Sequence, residues 1–316
     1  MHRIQYHTYG GPETMRLEEF ELPSPGKGEV AVTVRATSVN PIDWKLRQGQ
    51  LKMMTGRSFP RAMGSDFSGV VGAVSPDVTR FKPGDEVFGI ARLKESGAFA
   101  DAVVTLESYL AVKPAELSFE QAAALPTGSV MAWNGLVERA RLRSGQRVFV
   151  AGATGGVGEA VVQVARMLGA TVAGSTGAAS LERARDLAVE PVFDYARTDL
   201  GQRDDLRGAF DIVFDTSGSL PVKTALRMLK KNGVFLDINA TPAKFLHAAL
   251  IRRHKIFFCT PTTQILTDAA RAAVDGHIRM SIGETVPFAS GIDLITSLEK
   301  GRKIPGKGLI VMDARP

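Results

Sequence analysis

The chain has 316 residues, 44% of them hydrophobic and 23% charged, which suits a soluble globular protein of two domains. Its single cysteine, Cys259, excludes an internal disulfide and any multi-cysteine zinc module. The net charge is +6, but lysine and arginine are scattered, with one tight cluster at Arg252-Arg253-His254-Lys255, and aromatics make up only 7%, so no nucleic-acid partner is expected.

The opening MHRIQYHTYGG has no apolar run of the secretory kind. The most apolar long stretch, 148–175, is interrupted by Glu159, Arg166 and glycines. A cytoplasmic location without a membrane span is expected.

Taken in chain order, roughly the first 115 residues read as strands punctuated by Gly, Pro and Asp. The runs are EVAVTVRATSV, FSGVVGAVS, DEVFGIA, FADAVVTL and YLAVKP. They predict a compact antiparallel or barrel-like β domain. Between the first two lies SVNPIDWKLRQG, where an amide, a carboxylate, an indole and an ammonium crowd one corner. From about Ser118 the rhythm becomes helical, then alternates. RVFVAG, TVAGST, PVFDY, DIVFDTSG, GVFLDIN and KIFFCTP read as strands. The segments ending at Leu168, ASLERARDLA, LPVKTALRMLKK, PAKFLHAALIRR and QILTDAARAAVDG read as helices. This alternation predicts an α/β doubly wound parallel sheet. After Gly283 come ETVPFAS, a helix GIDLITSLEKG and a closing strand GLIVMD, a tail expected to return to the first domain.

The motif with the clearest physics is AGATGGVG, between RVFV and a helix. Read as G-x-G-x-x-G, its positions are Ala153, Gly155 and Gly158, with Gly156 added, so the first glycine is missing. Glycines let the backbone approach a pyrophosphate, and the helix N-terminus offers unpaired N–H groups and a positive dipole end. The second strand ends in Gly174-Ser175-Thr176, where NAD-preferring sites usually carry Asp or Glu. With no carboxylate to repel a 2′-phosphate, NADPH is expected over NADH. Arg183 and Arg185 either partner that phosphate or face solvent.

Together these stretches resemble the medium-chain dehydrogenase/reductase superfamily, in its zinc-independent quinone oxidoreductase branch. The likeness runs nearly end to end. It is carried by SVNPIDWKLRQG, FPRAMGSDFSGVV, FKPGDEVFG, AAALPTGSVMAWNGL, AGATGGVGEAVVQVARMLGA, VFDY and GKGLIV. Within the branch, the chain looks most like the alkenal/oxoene reductases and the chloroplast-envelope-type quinone oxidoreductases. The resemblance implies a GroES-like β domain at 1–120 plus 284–316 and a Rossmann dinucleotide-binding domain at 121–283. It also implies a homodimer built by edge-strand pairing, with KIFFCTP as the candidate edge.

The same resemblance implies site residues. Gly155, Gly156 and Val157 match the pyrophosphate loop, and Ser175, Thr176 and Tyr195 the 2′-phosphate end. Asn40 and Thr127 match positions near the nicotinamide. Ser217, Ile238 and Asn239 match ribose and amide contacts, and Phe258 and Thr260 backbone contacts beside the nicotinamide. Arg302 and Lys307 lie in a tail segment that reaches the cofactor in relatives. Two departures stand out. Gly177-Ala178-Ala179-Ser180 lacks the Lys or Arg with which many relatives clamp the 2′-phosphate, and Met131 replaces a usual threonine in the pocket wall.

Metal-using relatives place a cysteine near position 40 and a histidine in the segment matching GSDFSG. Here Asn40 and Ser65-Asp66 stand there, and His2, His7, His247, His254 and His277 are spread along the chain. No zinc site is expected. Without a Lewis acid, an alcohol hydroxyl is hard to deprotonate, whereas quinones and α,β-unsaturated carbonyls accept hydride readily. Asn40 is the expected catalytic residue, hydrogen-bonding the nicotinamide or the acceptor. Trp44 and Lys45 line the acceptor pocket or simply pack and solvate. Asp43 reads as N-cap of the helix DWKLRQ in preference to a proton donor, and solvent is left as a source of the proton. A carrier-dependent enoyl-thioester reductase and a non-enzymatic NADPH-binding protein are the competing readings.

Overall fold

The computed structural model describes residues 1–239 and 241–312. The chain forms two compact units. One holds Met1–Thr127, Pro261–Gly276 and the chain from Met280; the other holds Gly128–Thr260 and His277–Arg279. The segment 261–276, assigned from sequence to the nucleotide-binding part, thus groups with the first unit.

The first unit is built on strands. A small sheet joins β1 (His2–Tyr6), β2 (Met15–Glu19) and β4 (Arg61–Ala62). The main sheet is organised around β3 (Glu29–Ser38), which pairs antiparallel with β5 (Asp66–Val74) and with β7 (Ala102–Leu106). Beyond β5 lie β6 (Glu86–Ile90) and β8 (Leu110–Val112). Val30, Val32 and Val34 alternate along β3 and meet Phe67, Val71, Val87 and Leu110 in a buried core. Such β-branched, period-two patterning is what a half-buried pleated surface selects. Helices α1 (Pro41–Arg47), α2 (Lys52–Thr55) and α3 (Phe119–Ala124) decorate this unit.

The tail does return. β15 (Ile282–Pro287), α10 (Gly291–Glu299) and β16 (Lys307–Val311) form a crossover that sets β15 and β16 parallel. β16 then pairs antiparallel with β3, Leu309 opposite Ser38. Two residues further in the same antiparallel register, Lys307 faces Asn40. On the other side of β3, Ser38 is opposite Asp66. Three chain segments therefore meet at one end of β3.

The second unit is a six-stranded, all-parallel sheet. Its strands are β9 (Arg147–Ala151), β10 (Thr171–Thr176), β11 (Val192–Asp194), β12 (Phe210–Asp215), β13 (Leu229–Asp237) and β14 (His254–Ile256), in the order β11-β10-β9-β12-β13-β14. Counted from β9, this is the 3-2-1-4-5-6 order of dinucleotide-binding sheets, which reverses direction between β9 and β12. The helices are α4 (Pro126–Trp133, crossing into this unit), α5 (Gly156–Met167), α6 (Leu181–Asp186), α7 (Val222–Met228) and α8 (Pro242–Leu250); α9 (Thr263–Val274) belongs to the first unit. α5 buries Ala160, Val161, Val164 and Ala165 as one apolar stripe. Phe149 and Phe210 meet edge-on at 5.3 Å in the core, beside Phe235. The helix read through LPVKTALRMLKK ends at Met228, because Leu229 turns into the core and starts β13 opposite Phe210. Of KIFFCTP, only the start lies in a strand, β14, at the sheet edge. Among the described residues no helix is long and apolar enough to cross a membrane.

The turn after β9 explains the missing glycine. Gly152, one residue before the expected position, has φ +79°, a conformation that favours glycine. Gly158 is needed for a different reason. A Cβ there would lie 1.9 Å from the Gly152 carbonyl oxygen, so α5 packs on the turn only with glycine. Gly158→Ala should cost about 3 kcal/mol or more in urea unfolding, since the atom it strikes is backbone and cannot rotate away.

Candidate active site

The end of β3 assembles a buried polar cluster wholly within the first unit. Asp66 opens β5 and is 0% exposed; Lys307 opens β16 and is 5% exposed. Lys307 Nζ lies 3.0 Å from Asp66 Oδ2, and it also donates to Ser38 Oγ and Asn40 Oδ1 at 3.0 Å each. All three of its donors are used. Asp66 Oδ2 further accepts from Ser38 Oγ at 3.1 Å and Asn40 Nδ2 at 3.0 Å. Its other oxygen accepts from the Thr127 amide at 3.1 Å and the Thr127 hydroxyl. A buried charge survives only when paired and hydrogen-bonded, and both conditions are met here.

Asn40 is consumed by this cluster. Its oxygen faces the ammonium, and its NH2 group donates to Asp66 and to the Ser38 carbonyl at 3.2 Å. The lysine and the carboxylate fix that amide orientation by charge alone. Asn40 is also the N-cap of α1, with Pro41 at the first helical position. Asp43 is therefore not the N-cap. It stands at N3 and reaches back, its Oδ2 accepting from the Asn40 amide at 2.8 Å. Its Oδ1 accepts from Ser65 Oγ at 2.7 Å. Burial, reinforced by the Asp66 charge, raises its pKa to about 7, against the hydrogen bonds from Ser65 and Asn40 and the charge of Lys307.

Other expected residues fall as follows. Trp44 is half-buried against the cluster of Ile4, Tyr6 and Phe288. Lys45 is half-buried one residue further along α1. Lys307, expected to reach a cofactor, is spent internally. Arg302 pairs with Glu284 and donates to Ser297 Oγ at 3.0 Å.

The second unit presents a cradle at the carboxyl ends of its strands. No side chain caps the first turn of α5, whose N-cap is Gly155. Gly155 is exposed, and Gly156 and Val157 are half-exposed. Donors unmatched by side chains at a long helix's N-terminus fit a pyrophosphate. Beside it, Ser175 and Thr176 are buried, and the Thr176 hydroxyl bonds that of Thr154. Tyr195 is exposed, with its hydroxyl beside Gly177. Arg183 does not face solvent alone: it donates to the Thr154 carbonyl at 2.7 Å and pairs with Glu159 at 3.1 Å.

At the ends of β12 and β13, two buried carboxylates shape the crevice. Asp215 accepts from the amides of Ser217 and Gly218 at 3.0 and 2.8 Å, and burial, with Asp237 nearby, raises its pKa. Asp237 accepts from the Asn239 amide at 2.8 Å and pairs with Lys244 at 2.7 Å. These hold Ser217 and Asn239 side by side, a Cβ on Gly218 falling 2.8 Å from the Asn239 side chain. Ile238, between Asp237 and Asn239 in the chain, is half-buried. Phe258 lies 6.3 Å from Phe245 ring to ring, and Thr260 is anchored by its amide to Asn134 Oδ1 at 2.8 Å. Met131 is buried in α4.

Sequence reasoning missed Asp66, Ser38, Asp215 and Asp237 as organisers. The signal available was a carboxylate opening or closing an otherwise apolar strand, FSGVV for Asp66 and DIVFD for Asp215, since such a carboxylate must find partners when buried. Among the described residues no group of three or more His, Cys, Asp or Glu is placed to hold a metal ion.

Two outcomes follow. Lys307→Met leaves Asp66 buried without its cation and should cost about 3–5 kcal/mol in urea unfolding, much of it recovered by adding Asp66→Asn. For Asp43, folding raises the pKa from 3.8 to about 7, so its stabilising contribution is complete below 3.8 and is lost as pH rises through about 7. Wild-type stability relative to Asp43→Asn should fall across that window and level off above it.

With the geometry established, comparison with known proteins places the chain. The family model described as alcohol dehydrogenase GroES-like domain matches residues 26–115, and the model described as zinc-binding dehydrogenase matches 156–253. A chloroplastic quinone-oxidoreductase homolog of Spinacia oleracea is 31% identical over 253 residues, 78% of this chain and 77% of the relative. The 2-methylene-furan-3-one reductase of Solanum lycopersicum is 31% identical over 310 residues, 94% of this chain and 76% of the relative. Among solved structures, the quinone oxidoreductase of Coxiella burnetii superposes with a TM-score of 0.90 at 25% identity, covering 100% of this chain and 99% of that one. The GroES-like unit and the parallel dinucleotide-type sheet are thus those of a known architecture, and the chain belongs to the medium-chain dehydrogenase/reductase superfamily as an oxidoreductase related to quinone and enone reductases.

Proposed function

We propose that the protein is a zinc-independent, NADPH-dependent reductase that delivers hydride to quinones or α,β-unsaturated carbonyls. The observation that carries this reading is the ammonium of Lys307 lodged between Asn40 and Asp66. One matching family description names zinc, but the residues here do not fit it. At the positions where metal-using relatives carry ligands, this chain offers an amide and a hydroxyl, and a fixed cation touches the neighbouring carboxylate. A second cation in that place would be repelled. The reaction is then one whose acceptor is activated by its own conjugation.

NADPH fits the second unit. Gly155, Gly156 and Val157 would hold the pyrophosphate, and Ser175, Thr176 and Tyr195 the adenosine 2′-phosphate. Ser217, Ile238, Asn239, Phe258 and Thr260 would line the ribose and nicotinamide end. Bound NADPH would supply the hydride. Thr127, Trp44, Lys45 and Met131 are assigned to the acceptor and nicotinamide surroundings, and Asn40 acts by position, its amide being engaged within the cluster. The protein's part is orientation and exclusion of water. We assign it to the cytoplasm as a homodimer joined along the β14 edge, the last strand of the sheet among the described residues.

A steady-state panel of quinones, alkenals and enoyl thioesters, run with NADPH and NADH in parallel, tests the reading. NADPH should be oxidised with quinones or alkenals and be preferred over NADH. Binding of NADPH without oxidation by any acceptor would overturn it.

A further inference from the structure

The helix whose N-terminus fits an anion also carries a buried carboxylate. Glu159 stands in the first turn of α5 and is 1% exposed. A negative charge there suits the positive end of the helix dipole. It also competes with any anion arriving at that end, and in a buried place its field is weakly screened. A pyrophosphate and a bare Glu159 would repel each other.

Arg183, half-buried on α6, meets that charge. One nitrogen, Nη2, lies 3.1 Å from Glu159 Oε2 and donates to the Thr154 carbonyl at 2.7 Å. The carboxylate is therefore a single guanidinium nitrogen away from the backbone of the glycine loop. Thr154 is pinned on its other side too, its hydroxyl bonding that of Thr176 at the end of β10. The neighbouring carbonyls are also engaged. That of Gly152 accepts from the Gly155 amide at 3.0 Å, and that of Gly155 from the Glu159 amide at 2.8 Å. The first N–H groups of α5 have no intrahelical acceptor. With the carbonyls of Gly152, Thr154 and Gly155 occupied, the loop has donors to offer a ligand.

We propose that Arg183 is a positioning residue for the cofactor: by offsetting the charge of Glu159 and holding the Thr154 carbonyl, it keeps the turn between β9 and α5 receptive to a dinucleotide pyrophosphate. This rests on the dinucleotide-binding reading given above. Arg183 acts through Glu159 and Thr154 and touches no reacting atom. The sequence leaves it either as a partner of the 2′-phosphate or as a charge facing solvent, and its contacts give it a third role. NADPH and NADH share the pyrophosphate, so its effect falls on both alike.

The test is the affinity of the purified protein for NADPH and for NADH, followed by nucleotide fluorescence. The proteins compared are wild type, Arg183→Met, Arg183→Met combined with Glu159→Gln, and Arg185→Met. Each is measured well below its own unfolding temperature, so that lost stability does not pass for lost affinity. Arg183→Met should raise both dissociation constants by the same factor, about tenfold. The double variant removes the buried charge together with its partner and should recover most of that loss, which a role in folding alone would not do. It carries the test if Arg183→Met does not fold, and should then bind both nucleotides nearly as wild type does. Arg185 is exposed on the same helix, and Arg185→Met should leave both constants within about twofold. A loss confined to NADPH would make Arg183 a 2′-phosphate clamp and overturn the proposal. So would folded Arg183→Met binding both nucleotides like wild type, a double variant that recovers nothing, or an equal loss in Arg185→Met. Wild type binding neither nucleotide would remove the dinucleotide-binding reading and this proposal with it.

Discussion

A lysine ammonium buried in the body of a β domain must have a carboxylate, and the rest of the first unit is arranged so that Lys307 finds Asp66. The two residues are 241 positions apart in sequence. They meet because β3 is flanked by β5 on one side and β16 on the other, so that Ser38, Asp66 and Lys307 come to one end of the strand. Ion pairs of this kind add little net stability compared with apolar packing, but breaking one is expensive. Their value lies in specificity. A one-residue slip of β16 along β3 would turn Lys307 to the opposite face and strand Asp66. The pair therefore sets the register of the tail, and the tail closes the polar cluster around Asn40.

The same constraint organises the chemistry. With Asn40 saturated by Lys307, Asp66 and the Ser38 carbonyl, the corner SVNPIDW is a rigid scaffold more than a set of free reactive groups. Asp43, tied to the N-cap amide of α1, is held in a dry position where its carboxyl sits near neutrality. In the second unit the organisers are also buried carboxylates. Asp215 and Asp237 pair in register at the ends of β12 and β13 and fix the turns that follow. In both units, polar groups hidden from solvent determine where the exposed ones stand.

Much of this was legible in the sequence. Alternating β-branched residues marked β3, and the βαβ rhythm marked the parallel sheet, because local periodicity reports directly which face is buried. The glycine loop was found, although its turn glycine is Gly152 and not the position of Ala153, since which residue takes a positive φ depends on how the strand ends. Asp43 was read as a cap, correctly in kind but three residues out of place. Pro41 moves the helix start back to Asn40. What could not be read were the long-range partners. Lys307 looks like an exposed tail lysine and Asp66 like one carboxylate among many until strand register brings them together. Arg302 likewise offers no sequence sign that Glu284 holds it.

The chain is an oxidoreductase whose relatives include quinone and enone reductases. The chemistry proposed for it is direct hydride delivery to a conjugated acceptor, with the protein supplying position. The measurement that addresses this most directly is turnover of an α,β-unsaturated ketone with NADPH deuterated at nicotinamide C4, the product's label being located by NMR. The account predicts one deuterium on the carbon β to the carbonyl and a solvent-derived proton on the α-carbon. Deuterium at the carbonyl carbon, or a product carrying none for either C4 stereoisomer of the label, would contradict it.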